Sequence, residues 1–370
     1  MERITSSNRL LAAPLIVSIV LGLILMSAIL PMVKMDPKNI PIGLVVADEG
    51  EIGEKLAGRL MENAPELVKF KRFDSVEQLQ RAMDDRDVYG ALVFPADLSA
   101  KIGTMQTDAP EKATIQIYIN EGANVTVSTM VQTALTNMVS MIGTQISSQM
   151  LGAMKSPVQP GKVRDYANPV QSEIIKVNET GDLGNAPIAF LTVTWFTSLV
   201  GGVVLYLAGR KRTFESKVVK LKFNVLQSIL PFAYALIAGY VATWYSTWLL
   251  GFDLENFNRV ALYLALCVAA FTFMIFATLR WLKLPSIAIY ILLMFFSMPA
   301  VQLAPEMLPA FYRDYIVSWL PIRLYAEGMK EVLFFSEDLI NRYSVPMLWV
   351  LAVALVLVWV KNLGEKPKTN

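Results

Sequence analysis

The sequence contains no histidine. That absence removes the commonest general base and the commonest metal ligand together. It has one cysteine, Cys267, set in an apolar run, which excludes an intrachain disulfide and argues against a reactive thiol. Charge is scarce: Asp, Glu, Lys and Arg make up 17% of the chain and the net charge is +2, so no basic field points to nucleic acid. The phosphate-cradling pattern G-x-x-x-x-G-K-[ST] is missing, and no G-x-G-x-x-G follows a strand. Two acidic runs, Asp48-Glu49-Gly50-Glu51 and Asp84-Asp85-Arg86-Asp87, superficially suggest cation loops. A hard cation needs spaced, convergent oxygens, and each run reads better as a solvated turn. No catalytic constellation, cofactor site or metal site is expected.

Apolar residues are plentiful, at 54% with a mean hydropathy of +0.46. The first run, Leu10–Val33, carries no charge and is long enough to cross a hydrocarbon core, which takes roughly 20 helical residues. Its basic flank, Arg3 and Arg9, suits either an anchor or a signal peptide. Its length and the lack of a small-x-small site near Pro31 favour an uncleaved anchor. A polar stretch over 34–186 follows, and then Pro187–Ala208, Phe223–Leu250, Val260–Leu279, Pro285–Leu303 and Val345–Val360. These runs are continuous rather than alternating, so they are expected as helices. Tyr240, Trp244, Tyr245, Trp248, Trp281 and Trp359 gather toward span ends, as amphipathic rings do at the headgroup layer. The expected fold is a polytopic α-helical membrane protein with six spans. An extracytoplasmic α/β domain would be inserted between spans one and two, giving segments 1–33, 34–186 and 187–370.

Loop charge sets the expected orientation. The connector after the second span holds Arg210, Lys211, Arg212, Lys217, Lys220 and Lys222 against Glu215 alone; Arg280 and Lys283 follow the fourth span, and Lys361, Lys366 and Lys368 the sixth. Asp253 and Glu255 face Arg259 on the other side. The positive-inside rule then puts both termini in the cytoplasm and Lys34–Ala186 outside.

Within the outer segment, short apolar runs at Pro41–Ala47, Leu67–Phe73, Tyr89–Phe94 and Ala113–Ile119 read as strands, with a shorter one near Ile174–Val177. Ile52, Leu56, Leu60 and Met61 mark one helical stripe. Val76, Leu79, Ala82 and Met83 mark another, capped by Asp74 or Ser75. Over 123–154, apolar residues from Val127 through Val131, Leu135, Met138, Ile142 and Ile146 to Met150 recur in steps of three and four. That spacing predicts one long helix, which either packs on the strands or projects to bind a partner. Alternation of this kind favours an α/β layer domain.

Several strings then resemble a known family. They are Asp36-Pro37 with Asn39-Ile-Pro41-Ile-Gly-Leu-Val, Tyr89-Gly-Ala-Leu-Val-Phe-Pro95-Ala-Asp97-Leu-Ser99, and Tyr118-Ile-Asn-Glu-Gly-Ala-Asn124. Asn185-Ala-Pro187 before Trp195 and Leu320-Pro321 before Ala326-Glu327-Gly328 complete the set. In order and spacing they resemble the YhgE/Pip (phage infection protein) family, itself similar to the type-2 permeases of ABC transporters. The resemblance implies a homodimer in a bacterial plasma membrane, exporting a substrate with two separately encoded ABC ATPases.

On that reading the loop Arg210, Lys211, Arg212, Phe214 and Lys217 is the candidate ATPase contact; the alternative is a purely topogenic loop. Residues 305–341 are too apolar for a free loop and read as two half-helices broken at Pro321. They are expected to form an outer gate with Trp319, Pro321, Arg323 and Glu327, facing protein or a water-filled path. The competing function is a non-transporting envelope scaffold, secretion-system component or phage-receptor-like surface protein. Against it stand the small-residue faces of the spans, Gly201, Gly202 and Gly239, which favour close helix packing.

Overall fold

The computed structural model describes residues 20, 23–28, 30–33, 35, 37–105, 107, 109–153, 166–210, 212–335 and 338–364. It falls into two compact units, Asp36–Gly181 and the remainder, Met1–Met35 with Asp182–Asn370. Most of the expected first span lies outside the described residues, although residues 23–28 and 30–33 are helical.

The first unit is an α/β layer. Its strands are β1 Ile40–Val46, β2 Val68–Phe73, β3 Gly90–Phe94, β4 Ala113–Asn120 and β5 Val170–Val177, in the order β2-β1-β3-β4-β5. β1 pairs in parallel with β2 and β3, β4 runs antiparallel to β3, and β5 is parallel to β4. Helices α1 Glu51–Glu62, α2 Val76–Asp84 and α3 Leu98–Thr104 connect the early strands. Between β4 and β5 runs α4, Val125–Ala153, the crossover a parallel pair requires.

Helix starts follow their capping chemistry. Ser75 accepts from the Gln78 amide at α2, and Asn124 Oδ1 accepts from the Val127 amide at 3.1 Å. α1 begins after Gly50, which offers no side chain, so its first amides look elsewhere. Gly53 N–H donates to Asp48 Oδ2 at 2.8 Å and Ile52 N–H to Ser99 Oγ at 3.2 Å. The acidic run at 84–87 ends α2 in a turn, with Arg86 at a φ of 65°. α4 turns Val127, Val131, Leu135, Ile142 and Ile146 inward, all buried, and contacts β3, β4 and β5. The apolar stripe therefore packs on the strands, each such side chain contributing about 1.5–3 kcal/mol of burial.

Among the described residues, the second unit carries five helices long and apolar enough to cross a membrane. They are α5 Ala186–Arg210, α6 Lys217–Leu249, α7 Phe257–Leu282, α8 Ile287–Gln302 (extended by a 3₁₀ turn from Leu284) and α10 Ser344–Gly364. A further helix, α9 Pro321–Phe334, precedes α10. α7 is buried over most of its length and touches α5, α6 and α10. It is the axis on which the bundle is built. Trp195 packs edge-on to Phe271 with centroids 5.3 Å apart, and Ser198 Oγ donates to Val268 O at 3.3 Å. The outward faces of α6 and α10 keep Ile229, Ile237, Val353 and Val356 exposed, as lipid-facing helices do.

Candidate functional site

At one end of the helical unit α5 stops, α6 starts, and α7 and α10 stop. Residues from these four helix ends enclose a cavity of about 430 Å³. α5 terminates at Arg210, and α6 is capped by Ser216, whose Oγ accepts from the Val219 amide at 3.3 Å. The intervening loop folds back. Phe214 packs on Phe223 with centroids 5.4 Å apart, and the Arg212 guanidinium sits 4.6 Å above the same ring.

Six cations line the cavity: Arg210, Arg212, Lys220, Arg280, Lys283 and Lys361. No Asp or Glu stands among its described lining residues. Neutral groups position several of these cations. Arg280 Nη2 donates to Asn362 Oδ1 at 2.6 Å, Lys220 Nζ donates to Asn362 O at 3.2 Å, and Lys361 Nζ lies 4.9 Å over the Trp281 ring. Two unit charges ~8 Å apart at an effective dielectric of ~20 repel by about 2 kcal/mol. The arrangement is therefore suited to hold an anion, and it offers no acid–base pair for a reaction. A second cavity of about 440 Å³ shares Arg212, Phe214 and Phe223 and adds Glu215 and Lys222.

Of the residues expected in the cytoplasmic loop, Arg210, Arg212 and Phe214 converge on the cavity. Lys217, the first residue of α6, is exposed and lines neither cavity. Lys211 lies outside the described residues. Phe214, expected in the ATPase-contact loop, is half-buried and packs on Phe223 of its own chain. Arg280, Lys283 and Lys361 complete the cavity. Their charges were visible in the sequence only as topology signals on separate connectors.

The expected outer element is built differently from a pair of half-helices. Tyr312–Ile316 forms a π-helical turn and Val317–Trp319 a 3₁₀ turn; only after Leu320 does a regular helix, α9, begin, with Pro321 in its first turn. Proline suits that position because its missing amide has no partner there. Trp319 is exposed, its indole donating to Tyr315 O at 2.7 Å. Pro321 and Arg323 are half-buried. Glu327 is buried and pairs with Lys330 at 3.2 Å. The four gate candidates thus split, Trp319 outward and Glu327 inward. Tyr263 of α7 ties the element down, donating to Tyr325 O at 2.9 Å, and Gly328 lacks the room for a Cβ beside that hydroxyl.

The small-residue positions serve packing inside one chain. A Cβ on Gly202 would meet Ile275 Cγ2 at 2.7 Å, and one on Gly201 would meet Tyr234 at 3.0 Å. Gly239 abuts the α7 backbone at Ala261 and Ala265. These glycines let α5 and α6 close on α7.

A model of the family described as ABC-2 family transporter protein matches residues 10–360. None of the curated proteins matches the chain. Among solved structures, a crystallised domain ascribed to an ABC type-2 transporter from Thermotoga maritima MSB8 is similar at 16% identity, covering 37% of this chain and 84% of that one. Its TM-score is 0.26, too low for that likeness to carry an argument.

Proposed function

The chain belongs to the ABC-2 transporter family, and we propose that it is the permease subunit of an exporter driven by a separately encoded ATPase. The family match over residues 10–360, which takes in four of the five described candidate spans whole and most of the fifth, carries this reading. The sequence offers no phosphate loop of its own, so the motor belongs to another polypeptide. Within the family the local strings point to the YhgE/Pip branch. Two copies would form the path in a bacterial plasma membrane, with the first span completing six, both termini cytoplasmic and the α/β unit outside.

The ATPase contact is assigned to Arg210, Lys211, Arg212, Phe214 and Lys217. Because Phe214 packs on Phe223, docking would use the cationic rim around that ring. Trp319, Pro321, Arg323 and Glu327 are assigned to the outer gate. The jointed π, 3₁₀ and α sequence over 312–334 supports that assignment, since such junctions mark places where a helix can rearrange.

The test is co-expression with an ABC ATPase encoded beside this gene. Co-purification, with vanadate-sensitive ATP turnover that depends on this chain, is the expected result. If no ATPase associates and the deletion strain exports normally, the scaffold or receptor reading replaces it.

A further inference from the structure

We propose that the cavity at the ends of α5, α6, α7 and α10 is a binding site for the phosphate headgroup of an anionic phospholipid. Its lining supplies six cations and no described carboxylate, and a phosphate ester is the membrane anion that such a ring of point charges and guanidinium forks recognises. Cation–π contacts hold Arg212 and Lys361 in place without neutralising them.

A second observation points into the same space. Asn224 is 7% exposed and lines the cavity, yet its side-chain amide makes no hydrogen bond with the described residues. An amide lining the cavity in this way offers a donor and an acceptor to a polar ligand. Behind the lining, Asn362, which accepts from both Arg280 and Lys220, keeps Nδ2 buried with no acceptor.

The surroundings favour a lipid over a soluble anion. The cavity opens among the last turns of candidate spans, where Leu207, Leu282, Leu357 and Val360 are exposed. A headgroup seated among the cations would leave its acyl chains along these apolar faces. Trp281 lines the cavity and is itself exposed, the placement of an interfacial ring. This inference needs the spans but neither the ATPase nor the orientation, so it stands or falls apart from the transport reading.

The experiment uses the full chain in nanodiscs of mixed phosphatidylglycerol and phosphatidylcholine, released and weighed by native mass spectrometry. Retained phosphatidylglycerol in excess over its bulk fraction is expected. Arg280→Gln with Lys361→Gln should lower that excess about fivefold for each charge removed, while Arg259→Gln, in the first turn of α7 at the end away from the cavity, should leave it unchanged. Where the double variant fails to fold, Asn224→Leu replaces it and should also lower the excess. Equal retention of the two lipids by the unaltered protein overturns the proposal. So does displacement of the lipid by millimolar inorganic phosphate, which would identify a site for a free anion.

Discussion

Arg342 holds Glu331 through two contacts to one carboxylate oxygen, Nη2 at 2.8 Å and Nε at 3.2 Å. The Glu331 side chain is only 3% exposed, against 52% for Arg342. This pair fastens α9 to the turn that leads into α10, so the candidate gate element is clamped at its far end by a charge that the interior cannot leave unpaired.

Arg342→Met should therefore lower stability by about 1.5–3 kcal/mol, the range for hydrogen bonds to charged groups. Adding Glu331→Leu should recover part of the loss, because the buried carboxylate goes with its partner. A double-mutant cycle on apparent Tm in detergent checks this. Strict additivity of the two changes would show that the contact carries no coupling.

Gly202→Leu should destabilise the bundle by about 1–3 kcal/mol or more through overpacking against Ile275 and Thr272. Tryptophan fluorescence reads the effect well, since every Trp lies between Trp195 and Trp359. The loss is expected in the isolated protomer, because the contact is internal to the chain.

Asp48 gives the α/β unit an acid limb. Burial pushes its carboxyl upward, but hydrogen bonds from the Ser99 side chain and from the Ser99, Gly53 and Gly50 amides outweigh that and hold it below the usual value. A depressed carboxyl stabilises the fold above its unfolded pKa of about 3.9. That stability is lost as pH falls through the lower folded value. Protection of the β1 and α3 amides, taken relative to their intrinsic exchange rate at each pH, should fall over this window in the native protein. In Asp48→Asn that protection should be lower at neutral pH and flatter with pH.

Asn120→Leu should cost about 1–3 kcal/mol through unmet hydrogen bonds. Asn120 is fully buried, and its Nδ2 donates to Met83 O at 2.7 Å and Val88 O at 3.2 Å. Both carbonyls would lose that donor. Faster exchange at α2 and β4, without change in the helical unit, is the expected signature.

The proposed orientation predicts that Glu111→Cys and Glu215→Cys label from opposite faces of intact cells, with Glu111→Cys reached from outside. Both positions are exposed, and the native Cys267 is fully buried. Outside labelling of Glu215→Cys would reverse the orientation.

The five described spans were legible in the sequence to within a few residues, except that α6 starts at Lys217 rather than Phe223. Hydrocarbon-length apolar runs announce themselves by composition, while snorkelling lysines at a helix start hide its first turn. Strands β1 to β4 were legible from their apolar runs. β5 proved longer than Ile174–Val177 because most of its side chains are exposed and carry no apolar pattern. The seven-residue α3 was missed, being too short for periodicity to register.

The sequence by itself determined that the chain builds apolar helices of membrane length and an α/β layer, because both follow from local hydrophobic period. It also determined that the loop after α5 is basic. Only the tertiary structure decided that Arg280, Lys283 and Lys361 join that loop around one cavity, that Phe214 turns back onto Phe223, and that Gly202 and Gly239 are filled by α7. Those outcomes depend on which helix ends meet, and a meeting between residues 70 or 150 positions apart leaves no local mark. The pairing of Glu331 with Arg342 is of the same kind: each charge is visible in the sequence, and burial alone makes them need one another.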